Sequence, residues 1–212
     1  MGRHKVLNTP AIRRMPTYFH KLVLMQQAHK EVVSTTVLAK YMGLEPIIVR
    51  KDFELTGVKG QPGIGYKTHE LIEAIRSYLG WDACKKACLV GAGSLGSALL
   101  GYQEFSEYGM LFTDVFDADP EKIDTRIHGH LVRDVRQMTP RLRQARPDIG
   151  IICVPAIHAQ AVVDDMIACG VRAFWNFSNL CLQVPPNVVV QREVIAGGLA
   201  LLSMKLKTHD II

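Results

Sequence analysis

Apolar residues between Ala11 and Ala28 return at helical spacing, with Tyr18, Leu22 and Met25 on one face and Phe19 and Val23 beside them. Thr9 followed by Pro10 reads as an N-cap and a first-turn proline, which predicts a helix through "AIRRMPTYFHKLVLMQQA". Pro16 has no N–H to give to Ile12, so a kink or break is expected there. Two shorter helical stretches follow. Ser34 caps "TTVLAKYM", Gly43 ends it, and Pro46 opens another in which Ile48, Val49 and Phe53 turn inward while Arg50 and Lys51 lie on the other side. Two short helices joined through a glycine turn make a helix-turn-helix candidate. The glycine-rich "TGVKGQPGIGY" predicts a tight hairpin, or wing, and Thr68 is expected to cap a further helix over "HELIEAIRSYLG".

Beyond this point the period changes. "ACLVG", "MLFTDVFD", "DIGIICVP" and "RAFWNF" are apolar runs of strand length, alternating with helical segments near 94–108, 139–146 and 157–169. Repeated strand and helix units predict a doubly wound parallel sheet. The fold class is therefore α/β, with an N-terminal winged helix-turn-helix domain at 1–80, a Rossmann domain at 81–190 and a C-terminal helix at 191–212. "VPPNVVV" adds a short extended segment. The closing "EVIAGGLALLSMKLK" is too short to cross a bilayer yet apolar on nearly every side from Val194 to Met204, and a helix apolar all round must be buried. Either it completes its own domain or it packs into a partner subunit.

The stretch "GAGSLG" carries the most specific chemistry. Gly91 permits a tight turn, Gly93 lets the backbone approach a pyrophosphate, and Gly96 lets the following helix pack on the strand. The helix N-terminus favours the negative charge. The loop follows an apolar strand, and Asp117 ends the next strand at the spacing suited to an acidic residue on the adenosine ribose. Gly91, Ala92, Gly93, Ser94, Leu95, Gly96 and Asp117 are thus candidate dinucleotide ligands. Asp117 and Asp119 would repel a 2′-phosphate, so NAD(H) is favoured over NADP(H), with Asp119 itself read as an N-cap. Pro155 and Ala156 in "VPAIHAQ" and Asn176 in "NFSN" fall at the carboxyl edge of the sheet, where ligands of open α/β folds sit. Asn176 either bonds the nicotinamide amide or caps a turn, and the cofactor role is preferred.

Composition narrows the class. Of 212 residues 48% are hydrophobic and 21% charged, which is typical of globular proteins. No run is long and apolar enough to span a membrane, and "MGRHKVLNTP" lacks the apolar segment of a secretory signal, so a cytoplasmic protein is expected. Cys84, Cys88, Cys153, Cys169 and Cys181 form no CxxC pair and read as reduced, mostly buried thiols. The net charge of +5 is uneven: residues 1–67 hold eleven Lys and Arg against four Asp and Glu, the remainder fourteen against sixteen. A basic first third suggests a polyanion partner.

A dehydrogenase needs an acid or base beside the nicotinamide and a second substrate pocket. His128, His130 and His158 are weak candidates for catalysis, as are His128 and His130 for metal binding, and little chain remains after the nucleotide-binding units. No catalytic residue and no metal site are assigned. A small NAD-dependent oxidoreductase with a basic assembly domain is the alternative from another class.

The segments "RRMPTYF", "LAKYMGLEPIIVRKDFELTG", "GQPGIGY", "LVGAGSLGSAL", "FDADPEKI", "VPAIHAQ" and "NFSNLCLQVP" together resemble the Rex family of redox-sensing transcriptional repressors over nearly the whole chain. The resemblance implies a homodimer that binds a palindromic double-stranded DNA operator and releases it on binding NADH, without acting on a membrane. It implies DNA contact by Arg14, Ser34, Thr35, Arg50 and Lys51 and a minor-groove contact of the wing around Lys59. It also implies a final helix exchanged between subunits. This sequence differs where members commonly carry Arg, at His20, and Asp, at Val194, while Tyr102 is retained. Pro62 replaces a usual Arg or Lys in the wing, and Asn179 a usual Pro. A Rex-like protein that no longer discriminates redox state is the second alternative.

Overall fold

The computed structural model describes residues 7–208, and the chain divides into two compact units, Met1–Ala83 and Cys84–Ile212. The first is built on α1 (Thr9–Gln27). Its cap is Asn8, one residue before the expected Thr9: the Asn8 side-chain oxygen accepts from the Ala11 N–H at 3.4 Å. The helix runs unbroken through Pro16, where a kink or break is expected from sequence. One missing hydrogen bond is outweighed by the stripe of Ala11, Met15, Tyr18, Phe19 and Leu22, each at most 1% exposed, at roughly 1.5–3 kcal/mol for each large side chain buried.

Ser34 caps α2 (Thr35–Met42) by accepting from the Val37 N–H at 3.3 Å, and Gly43 ends the helix in the left-handed conformation at φ 65°. α3 (Pro46–Glu54) buries Val49, Asp52 and Phe53, leaving Ile48 half-buried. Thr68 does not cap the next helix. It is the first residue of α4 (Thr68–Leu79), and its hydroxyl donates to the Lys30 carbonyl at 2.7 Å. That bond and the antiparallel pair β1 (Val32–Val33) with β2 (Tyr66–Lys67) fix the base of the wing. Gly65 sits there at φ 110°, where a Cβ would overlap the Val33 carbonyl oxygen, so only glycine fits.

The second unit holds β3 (Lys85–Val90), α5 (Ser94–Leu100), β4 (Met110–Asp117), β5 (Arg126–Ile127), β6 (His130–Asp134), α6 (Met138–Ala145), β7 (Ile149–Ile152), α7 (Ala156–Ala168), β8 (Ala173–Asn176), β9 (Val189–Arg192) and α8 (Ile195–Thr208). The sheet order is β5-β6-β4-β3-β7-β8-β9, parallel throughout except for the β5–β6 hairpin. Successive residues of β3 point to opposite faces. Cys88 and Val90 join Phe116, Met138, Leu142 and Met166 under α6 and α7, whereas Ala87 and Leu89 join Val115, Val132, Ile151 and Leu100. Order reverses at β3 and β7, so their carboxyl ends form the crevice in which α/β folds bind ligands.

Two departures from the sequence reading concern this unit. The "RIHGHLV" segment, expected as a surface connection, is the β5–β6 hairpin, and β6 is a full member of the sheet. The helix expected over 94–108 stops at Leu100, where Gly101 caps it and a 3-10 turn over Gln103–Phe105 follows. The expected extended segment after Pro186 is β9, paired in parallel with β8. α8 is uncovered within the chain: Ile195, Leu199, Leu201, Leu202 and Met204 are each at least half exposed. Among the described residues no helix is long and apolar enough to cross a membrane.

Candidate functional site

At the end of β3 the chain turns at Gly91, whose φ of 99° brings it against the next strand. A Cβ there would lie 2.7 Å from the Cys153 backbone. Gly96 in α5 is as tightly confined, since a Cβ would overlap the Gly91 carbonyl oxygen. Gly93 differs: nothing lies within 4 Å of where its Cβ would be. The turn and the helix packing thus use two glycines, and the third leaves space facing outward. Ala92 is buried, Ser94 exposed and Leu95 half-buried. Of the loop, Gly91 and Gly93 line a cleft of about 1000 Å³ that extends to the carboxyl ends of β4, β6 and β7.

Asp117 closes one end of this cleft. One of its oxygens accepts from the Ala92 N–H at 2.7 Å, and the other accepts from the Asp119 N–H at 2.9 Å. The acid is thereby aimed across the glycine loop, where a ribose hydroxyl would donate to it. Two cations that the sequence reading missed stand with it. Lys122 Nζ lies 3.6 Å from Asp117 and 3.0 Å from Asp119, and the second contact holds the Asp119 carboxyl below its ordinary range. Arg136 is clamped on Asp134, the register partner of Asp117 on the neighbouring strand. Lys122 was legible in "FDADPEK", five residues after Asp117; Arg136 was not, because β6 was not recognised as a strand.

The far end departs from expectation at Asn176. Its side chain is fully buried and spent locally: Nδ2 donates to the Leu180 carbonyl at 2.9 Å, and Oδ1 accepts from the Ser178 N–H and hydroxyl at 2.9 and 2.7 Å. This is the turn-capping role, and the buried side chain does not line the cleft. Phe177, Ser178 and Asn179 line the cleft in its place, facing Pro155, Ala156 and Ile157 at the start of α7. The Trp175 ring stands 4.9 Å from that of Phe177. Cys153 is part of the wall, and burial pushes its thiol up to about 12. His158 lines the cleft at its lip, whereas His128 and His130 lie on the β5–β6 hairpin. Among the described residues no group of His, Cys, Asp and Glu could hold a metal ion.

In the first unit, α3 presents Arg50 and Lys51 outward. Its inner side is fixed by Asp52, which is 2% exposed. Asp52 accepts both prongs of the Arg14 guanidinium at 2.7 and 2.8 Å and the Tyr18 hydroxyl at 2.9 Å. Arg14 therefore has a partner inside the unit, and its fork is turned from solvent toward Asp52. The Tyr18, Phe53 and Tyr66 rings meet edge to face at 5.2 and 5.3 Å, tying α1 to α3 and α3 to the wing. Between α3 and the wing lies a hollow of about 700 Å³ lined by Ser34, Thr35, Arg50, Glu54 and Lys59. Lys51 stands outside it, and the Ser34 hydroxyl is occupied as the cap of α2.

A helix-turn-helix unit with a cationic hollow, joined in one chain to a dinucleotide-type cleft, defines a DNA-binding regulator that responds to a nucleotide. The family described as "CoA binding domain" matches residues 82–180, and "Putative DNA-binding protein N-terminus" matches residues 8–54. The redox-sensing transcriptional repressor Rex of Treponema denticola is 42% identical over 98% of this chain and 99% of its own, and that of Clostridium beijerinckii is 36% identical over 99% and 100%. The chain belongs to the Rex family of redox-sensing transcriptional repressors, whose members are named as repressors and not as enzymes. Among solved structures, RSP in complex with β-NAD⁺ and operator DNA superposes with TM-score 0.87 at 29% identity, covering 98% of this chain and 95% of that one. RSP in complex with β-NADH gives TM-score 0.85 at 28% identity, covering 98% and 97%.

Proposed function

We propose that this chain binds NAD(H) in the cleft below the glycine loop and a palindromic operator duplex on α2, α3 and the wing, NADH binding releasing the DNA. The observation that carries the cofactor reading is the pairing of Asp117 with the Ala92 N–H beside the open space at Gly93. The space admits a pyrophosphate, and the carboxylate takes the adenosine ribose. Asp117, Asp119 and Asp134 outnumber Lys122 and Arg136, so this end disfavours an additional ribose phosphate, as carried by NADP(H) and by coenzyme A. On the DNA side, Arg50 and Lys51 enter the major groove while Lys59, with the cap of α2, follows the backbone.

Sensing needs only that the two redox forms favour the DNA-competent and DNA-incompetent arrangements to different degrees. The neutral, puckered dihydronicotinamide and the charged, planar nicotinamide differ in charge and shape against the same wall of Phe177, Asn179 and Ile157. Two subunits serve a palindrome, and the exposed apolar α8 supplies the surface to join them, which assigns residues 191–212 to dimerisation, 1–80 to DNA and 81–190 to cofactor. The cytoplasm, where DNA and the nicotinamide pool meet, is the proposed location.

Two variants separate the halves of this reading. Asp117→Ala lowers NADH affinity at least tenfold, read by energy transfer from tryptophan, and leaves operator binding without cofactor unchanged. Arg50→Ala with Lys51→Ala abolishes operator binding and leaves NADH affinity unchanged. Normal operator binding by the double variant contradicts the assignment of α3.

A further inference from the structure

The wing differs from a cationic finger. Between Thr56 and Lys67 it holds two lysines, and Lys67 donates to Glu70 at 2.7 Å, so Lys59 is the cation without a carboxylate partner among the described residues. The tip itself is uncharged and tightly built. The Gln61 and Gly65 N–H groups exchange bonds with each other's carbonyls at 2.7 and 2.9 Å, and the Ile64 N–H returns to the Gln61 carbonyl at 3.1 Å. Proline in second and glycine in third place, with Gly63 at φ 75°, carry the signature of a type II turn. Both Pro62 and Ile64 project from it, and Ile64 is 59% exposed although it is a large β-branched hydrocarbon.

What such a tip meets follows from the hollow beside it. Arg50 and Lys59 border that hollow with one acid, Glu54, the capped start of α2 and the wing tip itself, Pro62 and Ile64 included, so it is net cationic, as suits a sugar-phosphate strand passing the tip. A backbone strand separates the two grooves of a duplex, so with α3 in the major groove the wing tip reaches the minor groove across that strand. Apolar side chains there act by wedging against base steps, without ion pairing. We propose that this wing reads its minor groove through van der Waals contact of Pro62 and Ile64, with Lys59 as its single phosphate anchor. The proposal rests on the reading of α3 as the recognition helix.

The test is the salt dependence of binding to the operator duplex crystallised with RSP, followed by fluorescence anisotropy with the full chain. Ile64→Ala is expected to weaken binding about tenfold, as loss of a buried aliphatic side chain does, with the slope of log affinity against log salt unchanged. Pro62→Arg is expected to steepen that slope by about one counterion. NADH affinity and melting temperature serve as controls and stay at wild-type values. Wild-type affinity for Ile64→Ala, or a slope lowered by a counterion, overturns the wing proposal alone. If Arg50→Ala with Lys51→Ala binds as the wild type does, or the wild type binds no duplex, the parent reading falls and takes this proposal with it.

Discussion

Asp52 shows how one buried charge places two exposed ones. It lies directly after Arg50 and Lys51, and its carboxylate is held by Arg14 and Tyr18 of α1, so the outward face of α3 is set from within. Burial and the bond to Asp52 together push the Tyr18 phenol well above its ordinary range, so the hydroxyl stays a donor throughout the neutral range. Asp52→Ala leaves a guanidinium and a phenol without their acceptor and is expected to cost about 3 kcal/mol, at the low end for a broken buried pair because Arg14 keeps some solvent. Urea denaturation measures it, and a loss under 1 kcal/mol contradicts the account. Neither this knot nor the burial of Asn176 could be read from the sequence. The partners of Asp52 lie 34 and 38 residues away, and nothing local tells a paired acid from a solvated one. The exposure of Arg50 and Lys51 was legible, because it needs only the period of the apolar residues around them.

At the scale of elements, the glycine loop and its strand were the most legible part, since Gly91 and Gly96 answer steric demands that only glycine meets. The same demands predict how substitutions divide. Gly96→Ala pushes a methyl into the Gly91 carbonyl and should lower stability by more than 1 kcal/mol along with NADH binding. Gly93→Ala meets nothing in the folded chain and has an ordinary φ of −72°, so it should melt with the wild type and yet bind NADH at least tenfold more weakly. Equal loss of stability in both variants would show that the space at Gly93 is not reserved for a ligand. Strand β6 was missed because "HLVRD" is short and half polar, and Val132 alone of its apolar residues is fully buried. The helix over 94–108 was overextended because the residues after Gly101 keep a helical polarity while their aromatic rings pack on one another, Tyr102 on Phe105 and Phe105 on Trp175.

At the scale of the whole molecule, α8 leaves Leu199, Leu201, Leu202 and Met204 uncovered, more apolar surface than one helix of a monomer keeps in water. Its composition made the need for a cover legible, and in the proposed function a second subunit would meet that need together with the two-fold symmetry of a palindrome. What composition could not reveal is how the cofactor couples to the DNA: His20 and Val194, the positions where the family resemblance implies an Arg and an Asp, are both exposed. The central claim is that the cleft distinguishes the redox forms of its ligand and passes the difference to the operator. Anisotropy of a labelled operator duplex at fixed salt, titrated separately with NADH and NAD⁺, tests it most directly. The account predicts that NADH releases the duplex at concentrations where NAD⁺ leaves it bound; equal effects of the two forms, or none of either, would contradict it.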